Sequence, residues 1–198
     1  MYCRKMIGDK CYLSPINVND YEKYTTWVND MEVGVGMIFS ASLITATKEK
    51  ELLERLAQSE FNFAIIDKEN DKLIGNVGFP KIDKINHVGE MGIFIGNKNY
   101  WGKGYGVEAI KLILDFGFNI LNLHNINLKV FEYNKPAIKC YKKAGFKEVG
   151  RLREAKQIAG KRYDEIYMDI LASEYESVYI KDLVEKKNKQ GKSIKEEV

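Results

Sequence analysis

The apolar residues of this chain fall at two spacings, which divide it into helices and strands. Val107, Ile110, Ile113, Leu114, Gly117, Phe118 and Leu121 recur at three- and four-residue intervals, the period of a helix face. Leu112, Phe116 and Ile120 widen that face. Glu108, Lys111, Asp115, Asn119 and Asn122 leave only a narrow polar stripe. A helix apolar over most of its circumference is expected to lie on a sheet and to be covered on its other side. Two more helices are predicted upstream. One is capped by Asn19 or Asp20 and runs to Val28. The other is capped by Thr47 and spans 48–58, with Leu52, Leu53 and Leu56 on one face.

Strands are predicted over 10–16, where Pro15 ends the run, and over 61–66 and 73–79, which form a hairpin across the polar turn 67–72. A turn at 83–86 leads into Glu90-Met-Gly-Ile-Phe-Ile-Gly96. Further strands follow over 125–131, and over 147–155 and 162–171 around a turn at Gly160. Between the first two helices, 31–46 carries Gly34 and Gly36 and almost no charge. From 172 the chain turns polar, and 185–198 is charge-rich with few large apolar residues, as in a frayed helix or a disordered tail. There is no internal repeat and no interdomain linker. The expected organisation is one domain over 1–180 followed by a charged, mobile tail over 181–198.

The stretch after the Glu90–Gly96 strand carries the first chemical signal. Trp101-Gly-Lys-Gly-Tyr-Gly-Val-Glu-Ala109 opens the central helix with glycines at 102, 104 and 106. A bare backbone at a helix start offers unpartnered N–H groups to an anion, here read as a phosphate, most simply a pyrophosphate. Gly104-x-Gly106-x-x-Ala109 also fits the dinucleotide fingerprint. That fingerprint wants its glycines directly after a strand and an acid roughly twenty residues on. Here a loop intervenes, and Glu132, the nearest strand-end acid, lies farther out. The Gly-Lys-Ser/Thr ending of a triphosphate loop is absent.

The downstream residues separate these readings. Asn134-Lys-Pro-Ala-Ile-Lys-Cys-Tyr141 and Ala144-Gly-Phe146 follow the glycine loop in order. Together the three motifs resemble the GNAT acetyltransferase superfamily, in particular the branch that acetylates ribosomal-protein N-termini and spermidine. The family's loop is usually written Gln/Arg-x-x-Gly-x-Gly/Ala. Trp101 stands at the Gln/Arg position, and Gly104 and Gly106 match. The resemblance covers roughly 88–171 well and the N-terminal part loosely. It implies an α/β domain with a mixed, largely antiparallel central sheet flanked by helices. It also implies transfer of acetyl from acetyl-CoA to a primary amine by direct attack on the thioester.

Acyl transfer to an amine needs a neutral nucleophile, a polarised carbonyl, donors for the oxyanion and a proton for the leaving thiolate. The resemblance implies Tyr141 as that proton donor, near the carrier sulfur, and Asn134 as a carrier contact. Independently, Asn134 is placed to cap the helix carrying Tyr141, with Pro136 in its first turn. Tyr141 read by itself is a core aromatic. Glu90 is implied as general base, acting directly or through water, against a plain structural reading. Gly102, Lys103, Gly104, Tyr105, Gly106 and Val107, with Trp101 before them, are expected to bind the pyrophosphate. Ile93, Phe94 and Ile95 offer a strand edge to the amide-rich pantetheine arm. Lys142 and Lys143 are further candidates for phosphate contact. Cys140 reads as buried filler, and His87 and His124 have no metal spacing; no metal site is expected.

The family's acceptor cleft corresponds to 31–46 and about 154–163. Polyamines want several carboxylates, and the first segment holds only Glu32, with Asp30 just before it, which disfavours spermidine. The expected acceptor is a small-molecule amine or a peptide N-terminus. The rival from another class is a non-catalytic CoA- or dinucleotide-binding sensor, which has no need of the Asn134/Tyr141 pair.

Composition adds exclusions. The chain has 198 residues, enough for one sizeable core. A net charge of +3, with dispersed lysines, gives no argument for nucleic acid. No leader-like apolar core opens the chain, and no run of about eighteen apolar residues suits a bilayer. Cys3, Cys11 and Cys140 are irregularly spaced, as in reduced thiols of a cytoplasmic protein. Assembly as a homodimer is left open.

Overall fold

The computed structural model of the chain describes residues 2–37 and 42–196. Eight strands form one sheet: β1 (Met6–Ile7), β2 (Cys11–Pro15), β3 (Asn62–Asp67), β4 (Leu73–Asp83), β5 (Val88–Ile95), β6 (Asn125–Phe131), β7 (Lys147–Ile158) and β8 (Lys161–Leu171). Their spatial order is β1-β2-β3-β4-β5-β6-β8-β7. Every neighbouring pair is antiparallel except β5 and β6. The helices are α1 (Tyr21–Val28), α2 (Met31–Gly34), α3 (Ala46–Gln58), α4 (Tyr105–Asn119), α5 (Lys135–Ala144) and α6 (Ile180–Glu196). The expected mixed, largely antiparallel sheet with flanking helices is the fold observed.

Strand alternation sorts residues onto two faces. On one face, Ile126 and Leu128 of β6 and Met168 and Ile170 of β8 pack with Ile110, Ile113 and Leu114 of α4 and with Tyr141 and Phe146 at α5. Burying each such aliphatic side chain is worth about 1.5–3 kcal/mol, so this cluster anchors α4 and α5 to the sheet. On the other face, Tyr24 of α1 and Leu53 of α3 cover Tyr12, Ala64, Ile66 and Leu73. Among the described residues, that cover extends from β2 to Phe94 on β5 and no further. Beyond it, Asn127, Lys129, Glu165, Tyr167 and Asp169 lie on the face that α4 and α5 leave open, partly or fully exposed.

Several boundaries differ from the sequence reading. The cap of α3 is Thr45, whose hydroxyl oxygen accepts the Lys48 N–H, so the helix begins at Ala46 rather than after Thr47. β1, a two-residue strand, had no legible pattern. β4 runs past 79 to Asp83 through a register shift between Gly78 and Lys81. Of the apolar segment 31–46, residues 38–41 lie outside the described residues, and α2 occupies its start.

The polar stripe of α4 is the largest difference. Asp115 is fully buried. Its carboxylate accepts the N–H groups of Val178, Tyr179 and Ile180 at 3.1, 2.6 and 3.0 Å, and also the Ser177 hydroxyl and the Asn119 amide at 2.7 Å. A carboxylate on the first amides of a helix satisfies donors that have no partner within it. Asp115 thereby ties the start of α6, at the end of the expected 1–180 domain, to the middle of α4. Glu108, one helical face upstream, accepts the N–H groups of Asp9, Lys10 and Cys11, the last two at 3.0 and 3.2 Å. Two carboxylates of the stripe, Glu108 and Asp115, therefore hold the backbone of other segments.

Candidate active site

β5 and β6 run parallel only through Val88↔Asn125, Gly89↔Ile126 and Glu90↔Asn127. Past Glu90, β5 stays paired with β4 as far as Ile95↔Gly75, while β6 stays paired with β8 as far as Phe131↔Glu165. Among the described residues, the β6-facing edge of β5 is thus open from Met91 to Ile95. The sheet parts there because each strand follows its own antiparallel partner. Ile93, Phe94 and Ile95 lie on this edge. The indole N–H of Trp101 donates to the Ile95 carbonyl at 2.8 Å, which turns the loop back onto the strand end.

The glycine loop closes on α4. Gly104 is its N-cap, with φ of 91°, a left-handed conformation that side chains resist. It brings no capping side chain, and the first intrahelical bond runs from the Glu108 N–H to the Gly104 carbonyl. Among the described residues, the N–H groups of Gly102 to Val107 have no protein acceptor. They form a continuous donor array at the positive end of a fifteen-residue helix. Gly106 is bare for a second reason: a Cβ there would sit 3.2 Å from the Cys140 sulfur of α5. Lys103 flanks the array. Lys10, which the sequence reading did not single out, joins it from the β1–β2 turn held by Glu108. Its ammonium lies 5.9 Å from the Tyr105 ring centre, and its Cε is 3.7 Å from where a Gly104 side chain would start. Lys142 and Lys143 occupy the last turn of α5, the negative end of that helix.

α5 forms as predicted. Asn134 accepts the Ala137 N–H at 3.2 Å, Pro136 sits in the first turn, and Gly145 ends the helix with φ of 110°. The Asn134 amide also points at the Gly36 carbonyl, 3.5 Å away, and the neighbouring Tyr133 hydroxyl donates to the Val35 carbonyl at 2.8 Å. The start of α5 is thereby fastened to the segment after α2. Tyr141 lies in the α4–α5 core with its ring edge-on to Phe146, centres 6.1 Å apart. Burial pushes its phenol well above the ordinary tyrosine range. Among the described residues its hydroxyl has no hydrogen-bond partner. Cys140 is half-buried, and burial raises its thiol to about 11, which suits filler rather than a nucleophile.

Glu90 is half-buried at the last paired position before the strands part, 3.9 Å from the Lys129 ammonium. Its neighbour Met91 belongs to the core that holds Tyr141. Glu90 and Tyr141 therefore flank the gap from opposite faces of the sheet. On the Glu90 face the register sets Asn127 beside Asp169, Lys129 beside Tyr167 and Phe131 beside Glu165. The Glu165 carboxylate on the same face raises the Tyr167 phenol. The two acids of 30–32, too few by themselves for a polyamine site, are paired with Lys98, which bridges Asp30 and Glu32 at 2.7 and 2.8 Å. The polar residues of this face were missed in the sequence reading, although Asn127/Lys129 and Glu165/Tyr167/Asp169 carry the two-residue period of a half-exposed strand face.

The sheet thus parts beside a glycine-rich helix start, with a buried tyrosine on one side and a carboxylate on the other. Residues 10–147 match the acetyltransferase (GNAT) domain family, and the chain belongs to it. The uncharacterized N-acetyltransferase p20 of Bacillus licheniformis is 40% identical over 113 residues, 57% of this chain and 63% of that protein, so the aligned part is under two thirds of its length. The spermidine N(1)-acetyltransferase of Vibrio cholerae is 38% identical over 117 residues, 59% of this chain and 66% of that protein. A crystal structure of spermidine N-acetyltransferase from Vibrio cholerae, in complex with CoA and spermine, superposes with a TM-score of 0.74 at 28% identity, covering 85% of this chain and 99% of that one. A Bacillus anthracis GNAT-family acetyltransferase structure shares the fold, with a TM-score of 0.75 at 22% identity over 88% of this chain and all of that one.

Proposed function

We propose that this chain transfers the acetyl group of acetyl-CoA to a primary amine by direct attack on the thioester. The observation that carries the reading is the open β5 edge running straight into the donor array of Gly102 to Val107. The array suits a pyrophosphate and the edge suits the amides of pantetheine, in the order in which CoA presents them.

On this reading the thioester lies in the gap, with a β5 edge N–H available to the tetrahedral oxyanion. Glu90, directly or through a water, takes a proton from the acceptor ammonium so that a neutral amine attacks. As the intermediate collapses, the carbon–sulfur bond breaks, Tyr141 donates its proton to the departing thiolate, and the proton shed by the attacking nitrogen restores the phenol. A phenol with a raised pKa keeps that proton at neutral pH. Asn134 orders α5 and the segment after α2 around this centre.

The acceptor is a small-molecule amine or a peptide N-terminus that enters over the open face of β6 and β8. Glu165 and Asp169 add carboxylate charge to that face beyond the Glu90–Lys129 pair, which favours an acceptor with positive charge beyond the reacting amine. Spermidine, disfavoured when only 30–32 was considered, returns on these strand carboxylates and on the likeness to spermidine acetyltransferases.

An acetyl-CoA turnover screen tests this, with polyamines, N-terminal peptides, amino sugars and aminoglycosides as acceptors. Amine-dependent release of CoA thiol with a mass gain of one acetyl group on the acceptor is expected. Tight CoA binding with no turnover on any amine would instead favour a CoA-binding sensor.

A further inference from the structure

Asp67, at the end of β3 and 2% exposed, is a buried acid that the proposed mechanism does not use. One carboxylate oxygen accepts the Tyr100 hydroxyl at 3.1 Å and the other accepts the Tyr105 hydroxyl at 3.0 Å. The two rings meet edge to face with centres 4.9 Å apart. Tyr100 is the last residue before the glycine loop, and Tyr105 is the first of α4. One carboxylate therefore grips both ends of residues 101–104. Asp67 is itself fixed in the sheet, since its N–H donates to the Lys72 carbonyl at 2.8 Å and it pairs in register with Cys11. Burial and the bond to Asp67 raise the Tyr105 phenol to about 12, so it remains a donor throughout the neutral range.

We propose that Asp67 is a positioning residue for the carrier's phosphates: by clasping Tyr100 and Tyr105 it holds the glycine loop in the one conformation whose N–H groups converge. Apart from the Trp101 indole bond to Ile95, residues 102–104 carry no side-chain restraint of their own among the described residues. Gly102 and Gly104 both take positive φ, and no capping side chain fixes the helix start. A flexible donor array loses ordering entropy on each binding event, and a clasped one does not. The proposal assigns the side chain of Tyr105 to the loop's support, leaving its backbone N–H to the ligand. It rests on the reading that the loop binds the CoA pyrophosphate.

The test compares two donors, acetyl-CoA and S-acetylpantetheine, which lacks the phosphates. CoA affinity by calorimetry and the thermal midpoint of the free protein are measured beside them. In Tyr100→Phe/Tyr105→Phe the CoA Kd should rise about tenfold or more, the scale of a lost charge-assisted hydrogen bond. KM for acetyl-CoA should rise in step, and kcat/KM should fall severalfold more for acetyl-CoA than for S-acetylpantetheine. Because the orphaned Asp67 carboxylate could unfold that variant, Asp67→Asn/Tyr105→Phe, which leaves no buried charge, is tested beside it for the same loss. Unchanged CoA affinity in both variants overturns the proposal. So does an equal loss on both donors, which marks a purely structural role. A wild-type protein showing no preference for acetyl-CoA over S-acetylpantetheine overturns the reading of the loop itself.

Discussion

A side chain on Gly106 would begin 3.2 Å from the sulfur of Cys140, so the first turn of α4 and the middle of α5 pack through that glycine. Gly104, two residues earlier, meets only the Lys10 Cε at 3.7 Å, but its φ of 91° lies in the left-handed region. The two glycines are thus required for different reasons, and substitution separates them. Gly106→Ala should lower stability by about 1–3 kcal/mol through overpacking, and Cys140→Ala in the same chain should restore most of it. Gly104→Ala should lose about 1–2 kcal/mol through backbone strain, with no rescue from Cys140→Ala. Urea denaturation of the four variants checks the pattern. Equal rescue of both would contradict the geometry.

Tyr141→Phe removes one oxygen from the core and little volume. If that hydroxyl protonates the leaving thiolate, kcat and kcat/KM should fall together by about a hundred- to ten-thousandfold, with CoA affinity intact. Single-turnover rates are the measure, since slow product release can hide a chemical defect. Near-wild-type rates would return Tyr141 to a role in packing alone.

Alkali should unfold the protein through its buried phenols. Burial raises Tyr24, Tyr141 and Tyr175 above the ordinary tyrosine value. A folded pKa above the unfolded one favours the protonated fold. The stability they contribute is therefore fully present below about pH 10, the unfolded value, and declines as pH rises past it, because the unfolded chain then binds fewer protons than the native one. The thermal midpoint should hold between about pH 7 and pH 8, begin to fall near pH 9 as the unfolded chain's Cys11 and Cys140 thiols ionise first, and drop steadily above about pH 10. A midpoint that stays level well into that alkaline range would show that these phenols ionise in place.

Lys10→Met should weaken CoA binding severalfold at low ionic strength, with the difference shrinking as salt shortens the screening length below about 10 Å. The turn that presents Lys10 is held by backbone contacts to Glu108, which the substitution leaves intact. Calorimetry across a salt series decides this. A salt-independent loss would point to packing on Tyr105 instead of charge.

Asp115→Ala leaves the first amides of α6 and the Ser177 hydroxyl without their acceptor. Stability should fall by at least about 2 kcal/mol, and amide exchange should accelerate first at Val178, Tyr179 and Ile180. Protection unchanged at those three amides would mean that α6 is held by its apolar contacts alone.

Much of this arrangement is local and can be read from the chain. Asn125–Phe131 is a strand because it is apolar at every second position, and Lys135–Ala144 is a helix because Asn134, Pro136 and Gly145 supply its start and stop. Gly102, Gly104 and Gly106 announce a bare helix start for the same reason: backbone conformation is set by the residues that adopt it. What joins distant segments has no local signature. Glu108, Asp115 and Asp67 look like ordinary surface acids in the sequence, since a carboxylate has the same pattern whether it faces water or caps another segment's amides. The open edge of β5 exists because β5 follows β4 while β6 follows β8, and the carboxylates opposite Tyr141 share a face only through cross-strand register. Sequence period determines which side of a strand a residue takes; strand order and register, settled by burial across the whole sheet, decide which residues meet there.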